Sequence, residues 1–475
     1  MTRRRIHLAT PARATTALAT SLVLGLGACA GGGAGGDPTG GTGTAAPTVD
    51  RPAGPTVTPT ATATYPTDRV GAAMKWFVGQ MNTDPVEPDL GERFTKEFTD
   101  QVPPEQLIVL LGELRLQGPW VTESVNTEGT DGVATLVSGQ GLRFTLSMQL
   151  DDDGLIAGAL INSAAKGERA TTWEGVVQRA EQGAPQVAVI AGTVEPDGSL
   201  TPVFEKDADT PHPVGSAFKL YVLAAVAEKV AAGELTWEQK VTLEAGDKTL
   251  PSGTLQNEPD GTRLTVQDAA TRMISISDNT ATDLLMRVIG ERAILDAAKR
   301  SGNDELRGIT PFLSAKQMFW LSQSDAPEAK TAREQWRDAS EQKRRELLAA
   351  VPMPGPGPEF DPTDVQWTNG IEWFVSARDL ADAHIYLQKL SDSPTGAPVQ
   401  QILTKNSGIA VDHWSRTAFK GGSNTGVIAM SFYARSGDGA DAPRQVLVML
   451  GRGNAPVDEN TFVAATQDAA ALLER

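Results

Sequence analysis

The sequence is poor in the residues on which several classes of protein depend. It has one cysteine and four histidines among 475 residues, and aromatic residues make up 5% of it. A single cysteine excludes a disulfide within the chain. The histidines lie far apart and show no paired ligand spacing, so we predict no metal centre on them and expect no cofactor. They are His7, His212, His384 and His413.

Positive charge is also scarce. The chain has 42 Lys and Arg against 59 Asp and Glu, a net charge of −17, and no basic run is longer than Arg3–Arg5. Proteins that bind nucleic acid need clustered positive charge to contact the phosphates. We therefore expect no nucleic-acid partner.

The N-terminus has the pattern of a targeting segment. Arg3–Arg5 precede the apolar run Ala17–Gly27, which is too short to span a bilayer stably. The run leads through Leu-Gly-Ala into Cys29, a pattern that resembles the bacterial lipoprotein box, in which the cysteine is acylated. We expect a signal peptide over 1–28. Lipids on Cys29 would anchor the exported protein to the outer face of the bacterial cell membrane.

Composition divides the rest of the chain into three parts. Residues 29–66 are mostly Gly, Thr, Ala and Pro and predict a flexible tether, because they cannot bury enough apolar surface to become ordered. Residues 67–165 combine helical spacing with a later alternating pattern, which predicts a small α+β domain. This domain resembles the cone-shaped domains of the nuclear-transport-factor-like family, and we interpret it as a spacer or binding module.

The third part, residues 168–475, has strand-like runs at both of its ends and helical patterns between them. This arrangement predicts one antiparallel sheet packed against helices. Ser322–Pro362 interrupts it with a charged helical part, Ala326–Ala350, and a proline–glycine run. We expect a solvated face and a loop there, with a lid as the alternative. The strand-like runs are Gln186–Val194, Ser199–Glu205, Arg416–Lys420, Val427–Ala434 and Gln445–Leu450.

Ser216 and Lys219 begin an apolar segment that has no Gly or Pro until Gly233. A helix starting at Ser216 would place the lysine amine one turn above the hydroxyl, on the same face. A partly desolvated lysine can take the proton of a serine and so activate it as a nucleophile. The same spacing occurs in Ser163–Lys166 and Ser340–Lys343 without comparable surroundings, so the motif alone is weak.

Two further motifs follow in chain order. Ser277–Asn279 reads S-D-N between two helical stretches, and Lys420–Ser423 reads K-G-G-S at the end of a strand run. Together with Ser216 and Lys219 they resemble the motif set of class A β-lactamases and penicillin-binding proteins. Leu250–Gln256 and the helix Asn279–Gly290 also look like that family. The resemblance implies a β-lactamase-like α+β fold with a five-stranded antiparallel sheet over residues 168–475.

The resemblance also implies catalytic roles. Ser216 would attack a carbonyl carbon and carry the acyl group, and Lys219 would accept its proton or orient the group that does. Ser277 would pass a proton to the leaving atom. Lys420 would supply positive potential for a substrate carboxylate and help to keep Lys219 neutral.

Substrate-binding roles follow from the same resemblance. Asn279 would hydrogen-bond a substrate amide. The backbone N–H groups of Ser216 and Ser423 would form an oxyanion hole, and Gly422 is placed with them among the substrate-binding residues.

The sequence departs from the family pattern in two ways. Lys420-Gly421-Gly422 lacks the usual Thr or Ser hydroxyl, for which Ser423 is the candidate replacement. The Glu-x-x-Leu-Asn loop that activates the deacylating water is not found. Glu346 and Glu372 are candidate bases, but each is more typical of a surface or structural glutamate. Without such a base the acyl-enzyme should hydrolyse slowly.

We therefore hypothesise a monomeric serine hydrolase that forms an acyl-enzyme on Ser216 with a β-lactam, ester or peptidoglycan-related small molecule, with weak β-lactamase or esterase activity. The two-domain arrangement is similar to β-lactamase-like proteins of clavulanic acid clusters. A D-Ala-D-Ala peptidase or penicillin-binding protein is the alternative enzyme, and a catalytically silent surface-binding lipoprotein is the alternative of another class. A Ser-His-Asp enzyme is disfavoured because no G-x-S-x-G elbow surrounds Ser216.

Overall fold

The structure is a computed structural model. It describes residues 63–474 except 84–89, 102–103, 140–142, 164–167, 359, 362, 407, 410, 412 and 438–441. The predicted signal peptide, Cys29 and most of the predicted tether lie outside the described residues. The chain divides into two compact units, Met1–Ala164 and Ala165–Arg475.

The first unit combines helices with a four-stranded antiparallel meander in the order β1-β2-β3-β4. The predicted helical spacing is confirmed in its first helix, which Asp68 caps and whose apolar face is buried. That face packs with the inner face of the meander in one hydrophobic core. The elements are α1 (Arg69–Asn82), α2 (Lys96–Gln101), α3 (Pro104–Leu116), β1 (Val121–Glu128), β2 (Asp131–Val137), β3 (Arg143–Leu150) and β4 (Ile156–Ser163).

The second unit is built on a five-stranded antiparallel sheet in the order β11-β12-β13-β5-β6. Strands from both ends of the unit lie side by side, as the sequence predicts, and two short strand pairs lie outside the sheet. The strands are β5 (Gln186–Val194), β6 (Leu200–Lys206), β7 (His212–Pro213), β8 (Lys240–Thr242), β9 (Arg263–Thr265), β10 (Phe374–Val375), β11 (Arg416–Asn424), β12 (Val427–Arg435) and β13 (Arg444–Arg452).

Helices cover both faces of this sheet, and each face has its own hydrophobic core. The first and last helices of the unit, α4 and α14, share one core with one face. The remaining helices share the larger core with the other face. They are α4 (Trp173–Gly183), α5 (Lys219–Ala231), α6 (Val266–Ser275), α7 (Asn279–Ile289), α8 (Glu291–Arg300), α9 (Ala315–Gln323), α10 (Pro327–Trp336), α11 (Glu341–Ala350), α12 (Ala377–Ser391), α13 (Ala397–Leu403) and α14 (Glu459–Leu472).

Two boundaries near the predicted site differ from expectation. The helix predicted to start at Ser216 starts at Lys219, and a 3₁₀ turn over Gly215–Phe218 precedes it. The strand predicted to end at Lys420 continues to Asn424, because its glycines pair in register with β12. The third motif therefore lies within a strand.

The stretch Ser322–Pro362 is helical within the predicted range Ala326–Ala350. It contains two helices, α10 and α11, and Ser340 caps the start of α11 by accepting a hydrogen bond from the Lys343 amide. None of the helices in the described part of the chain has the length and apolar character needed to cross a lipid bilayer.

Candidate active site

The Ser216–Lys219 motif keeps its two side chains together although Ser216 precedes the α-helix. Side chains three residues apart nearly eclipse in a 3₁₀ turn. The Lys219 Nζ atom consequently lies 3.1 Å from the Ser216 Oγ atom. Ser216 is half-buried, whereas Lys219 is completely buried. A lysine amine thus faces the hydroxyl in an environment from which most water is excluded.

The second motif forms the junction between α6 and α7. Asp278 caps α7, and its other carboxylate oxygen accepts from the Thr254 and Leu255 amides. Ser277, one residue earlier, has a φ of 55°, in the left-handed region that side chains other than glycine seldom adopt. In this conformation both polar groups of Ser277 face Lys219: the Lys219 Nζ atom lies 2.7 Å from the Ser277 carbonyl oxygen and 3.0 Å from its Oγ.

Burial controls the charge of Lys219. Loss of hydration disfavours the ammonium form, and it lowers the pKa of Lys219 well below its ordinary value of 10.5, with a further lowering by the Lys420 charge. Asp278 and Asp283 act in the opposite direction. The result favours a neutral amine that can accept a proton.

Lys420 reaches the same hydroxyl from β11. Its Nζ atom lies 3.2 Å from the Ser277 Oγ and 2.5 Å from the Gly421 carbonyl oxygen. The side chain is 3% exposed, and burial lowers its pKa to about 7. The Ser277 hydroxyl is therefore a shared partner of two lysines, which links Ser216 to Lys420 through Lys219 and Ser277.

Asn279 lies at the start of α7 and has both ends of its amide engaged. Its Oδ1 accepts a hydrogen bond of 2.8 Å from Lys219 Nζ, and its Nδ2 donates to the Leu250 carbonyl oxygen at 3.2 Å. The residue is 3% exposed. In this structure the Asn279 side chain orients Lys219, and no pattern in the sequence indicates its contact with Leu250.

The third motif packs its backbone directly against the Ser216 turn. A Cβ atom on Gly422 would lie 2.1 Å from the Val214 carbonyl oxygen and 2.6 Å from the Ser216 amide nitrogen. A Cβ atom on Gly215, whose φ is +48°, would lie 2.9 Å from the Ser423 amide nitrogen. Only glycine at these two positions allows the turn and the strand to approach so closely. The approach brings the Ser216 and Ser423 backbones side by side.

The Ser423 side chain does not replace the missing motif hydroxyl. Successive side chains of a strand point to opposite faces, so Ser423 faces away from Lys420. Its hydroxyl hydrogen-bonds the Glu459 carboxylate at the start of α14, and burial raises the pKa of that carboxyl group. The backbone of Ser423, and not its side chain, lies against the Ser216 turn.

The two candidate glutamates differ in position. Glu346 lies exposed on α11, where it accepts from Gln342. Glu372 is 4% exposed and accepts hydrogen bonds from the Asn424 side chain and the Trp373 amide, each at 3.0 Å, as well as from the Gly215 amide. Among the described residues, the hydrogen-bond partners of Lys219 and Ser277 include no carboxylate.

The interrupting stretch reaches both sides of this site. The Leu250 amide donates to the Pro356 carbonyl oxygen at 2.9 Å, and the Thr425 hydroxyl donates to the Asp361 carbonyl oxygen at 3.4 Å. Leu250 holds Asn279, and Thr425 follows the last residue of β11. The stretch Ser322–Pro362 therefore contacts one residue that holds the second motif and one residue that follows the strand of the third motif.

The other chemistry-bearing residues of the sequence lie elsewhere. His212 bonds the Thr210 carbonyl oxygen, His384 contacts Ser431, and His413 lies 4.0 Å from a Glu474 oxygen. No group of three or more potential metal ligands occurs among the residues that the structure describes. Lys166 lies outside the described residues.

Part of each unit matches the model of a known protein family. Residues 178–349 match the model of the β-lactamase enzyme family, and residues 65–156 match the model described as ORF 12 gene product N-terminal. No curated protein matches the chain.

Solved structures with similar folds include β-lactamases and a penicillin-binding protein. The β-lactamase from Sphaerobacter thermophilus is 22% identical, with 63% of this chain and 96% of that chain covered and a TM-score of 0.44. PBP-A is 16% identical to this chain, with 65% of this chain and 98% of PBP-A covered and a TM-score of 0.43. A class A β-lactamase from Mycobacterium abscessus is 15% identical, with 64% of this chain and 99% of that chain covered and a TM-score of 0.43.

The match over residues 178–349 includes the first two motifs, and the sheet and the converging lysines complete the pattern. Residues 178–349 of the second unit therefore resemble the β-lactamase enzyme family in sequence. A different family model matches the small domain that the sequence predicts before it.

Proposed function

We propose that this protein is a serine hydrolase that forms an acyl-enzyme on Ser216 with β-lactams or related esters and amides. The observation that supports the proposal most is the buried Lys219 amine 3.1 Å from the Ser216 hydroxyl oxygen. A neutral amine at this distance can remove the serine proton as the nucleophile attacks.

The proposed reaction assigns each proton a route. Ser216 Oγ transfers its proton to Lys219 Nζ and bonds to the substrate carbonyl carbon, while the π electrons move onto the carbonyl oxygen. The Ser216 and Ser423 amides would stabilise this oxyanion. When the tetrahedral intermediate collapses, the C–N or C–O bond breaks and the leaving atom takes a proton from the Ser277 hydroxyl. Lys219 then returns its proton to Ser277.

Hydrolysis of the acyl-enzyme should be slow. Deacylation needs a base that activates water at the acyl carbon. Glu346 is exposed on α11, and the Glu372 carboxylate accepts hydrogen bonds from three groups of the protein itself. Weak β-lactamase or esterase activity fits this arrangement better than rapid turnover.

Intact-protein mass spectrometry after a brief pulse of a penicillin tests the proposal. We expect one acyl group on the wild-type protein, its slow loss after the drug is removed, and no adduct on Ser216→Ala. Ser340→Ala is the matched control and should be acylated normally. Absence of an adduct, combined with no turnover of a chromogenic cephalosporin or of simple esters, would contradict the proposal and favour a silent binding protein.

A D-Ala-D-Ala peptidase would give the same long-lived adduct. It would also cleave peptidoglycan stem peptides ending in D-Ala-D-Ala, which a weak β-lactamase or esterase would leave intact. Incubation of the protein with such a peptide therefore separates the two enzymes.

We also propose that the protein is exported and held at the membrane by lipids on Cys29. The support is the N-terminal pattern that ends at this single cysteine. Fractionation of cells that express Cys29→Ala should find the protein released from the membrane, and full retention would count against the anchor.

A further inference from the structure

Glu372 lies immediately before β10 and connects three parts of the molecule. β10 pairs with β7, the short strand that leads into the Ser216 turn. The Trp373 carbonyl oxygen accepts from the Val214 amide at 3.1 Å, and the Glu372 side chain accepts from the next amide, that of Gly215. Two consecutive amides before Ser216 are thus held by one dipeptide.

The same carboxylate holds the end of β11. The Asn424 Nδ2 atom donates to Glu372 Oε1 at 3.0 Å, while the Asn424 Oδ1 accepts from the Thr425 amide at 2.9 Å. Asn424 directly follows Ser423, whose amide lies beside Gly215. Glu372 therefore bonds one neighbour of each amide proposed for the oxyanion hole.

Aromatic packing fixes the backbone from which Glu372 projects. The Phe218 and Trp373 rings stack with their centroids 3.8 Å apart and their planes 20° from parallel. The Trp373 indole also donates to the Leu313 carbonyl oxygen at 3.1 Å. Because Phe218 belongs to the same turn as Ser216, a movement of Glu372 cannot be absorbed locally without moving that turn.

We propose that Glu372 is a positioning residue that fixes the spacing between the Ser216 and Ser423 amides and thereby sets the rate of Ser216 acylation. This inference rests on the proposed function for its rate readout. Glu372 acts through the backbone of the turn and the end of β11, not as the base of deacylation. Of the two candidate glutamates, the buried one therefore stabilises the geometry of the site.

A carboxylate suits this position better than an amide does. Three donors converge on it: the Gly215 and Trp373 amides and the Asn424 side chain. A carboxylate can accept from all three, whereas a glutamine would turn its own N–H₂ group toward at least one donor. Burial raises the pKa of Glu372 to about 7, and the three hydrogen bonds oppose this rise.

The distinguishing experiment uses a charge exchange in the full chain. In Glu372→Gln the new amide faces the Asn424 donor, so we expect the acylation rate with a fluorescent penicillin to fall by about 10²-fold, since small misplacements can cost this much. In Glu372→Gln with Asn424→Asp, the glutamine can donate to the aspartate and accept from the backbone. We expect this double variant to regain at least half of the lost factor on a logarithmic scale.

Glu346→Gln, which changes an exposed glutamate, should acylate at the wild-type rate. An unchanged acylation rate in Glu372→Gln would overturn the inference, and so would normal acylation with a longer-lived adduct, because that result would make Glu372 the deacylation base. If Glu372→Gln does not fold, Asn424→Ala removes one donor from Glu372 and is read in the same way.

A second measurement separates this inference from the proposed function. Hydrogen–deuterium exchange of the segment 213–218 needs no substrate, and it should be faster in Glu372→Gln than in the wild type and slower again in the double variant. If the wild type is never acylated, the proposed function is wrong. The exchange rates then still test whether Glu372 positions the Ser216 turn, because they do not depend on acylation. Equal exchange in all three proteins would refute this positioning role.

Discussion

Two serine–lysine pairs in this chain have the same spacing but differ in burial. They are Ser216 with Lys219, which lies in the core, and Ser340 with Lys343, which lies at the surface. Lys219 is fully buried and its Nζ contacts four oxygen atoms. Lys343 has a side chain that is 48% exposed and lies 3.9 Å from Glu346, while the Ser340 hydroxyl accepts from the Lys343 amide as an ordinary helix cap. The difference shows that the burial and the contacts of Lys219 come from the strands and loops packed around it, and not from the four-residue motif.

The most direct test of this difference replaces each lysine in turn. Lys219→Met should lower the acylation rate of Ser216 by about 10³-fold, because a positioned general base typically contributes roughly 10²–10⁴-fold. Lys343→Met should leave the rate unchanged. The measurement is the time course of adduct formation by mass spectrometry. Equal rates in the two variants would mean that Lys219 is not the base.

A smaller effect tests the packing that distinguishes the two pairs. Gly422→Ala would place a Cβ atom 2.1 Å from the Val214 carbonyl oxygen, so the strand and the turn must separate. We expect slower acylation and a loss of about 1–3 kcal/mol in the free energy of unfolding, as is typical of overpacking.

Gly246→Ala is the matched control for that substitution, because its Cβ would meet nothing within 4 Å. Chemical denaturation and the acylation time course should both resemble the wild type in this control. A harmless Gly422→Ala would show that the turn and the strand need not lie so close.

The smallest effect concerns the pH dependence of stability. Burial lowers the pKa of Lys420 to about 7, from an ordinary value of 10.5. Between these pH values the unfolded chain holds a proton that the folded chain has released, so this lysine makes the free energy of unfolding rise with pH. One such proton corresponds to at most about 1.4 kcal/mol per pH unit.

Lys420→Met removes that contribution. Denaturant unfolding at pH 7.5 and at a pH about two units higher should therefore show a shallower rise for Lys420→Met than for the wild type. The exposed Lys343→Met should keep the wild-type slope. A Lys420→Met slope equal to that of the wild type would indicate that Lys420 remains protonated when folded.

Patterns local in sequence predicted the regular elements well. The strand Gln186–Val194 has the predicted bounds, because a continuous apolar run ends at the turn Glu195–Gly198. Thr265 and Asp268, three residues apart in the sequence, form a reciprocal capping box at the start of α6. Such features depend on neighbours within four residues, which the sequence displays directly.

Features that depend on distant residues were harder to predict. Gly421 and Gly422 looked like the end of a strand, yet β12 pairs with them and extends β11. The contact between Glu372 and Asn424 joins residues 52 positions apart, and neither residue belongs to a local pattern. The order of the three motifs predicted which residues meet, but the burial of Lys219 and Lys420 follows only from the assembled core.

The left-handed backbone of Ser277 sets the stability of the fold against the presence of a hydroxyl group in the site. A serine in this left-handed conformation costs roughly 1–2 kcal/mol that glycine would not. Glycine would make the junction between α6 and α7 more durable, but it would delete the hydroxyl that Lys219 and Lys420 share. Selection for a more stable fold would therefore favour glycine at this position, although the proposed proton transfer needs the serine hydroxyl. A more stable variant that keeps this hydroxyl would have to gain its stability elsewhere in the molecule.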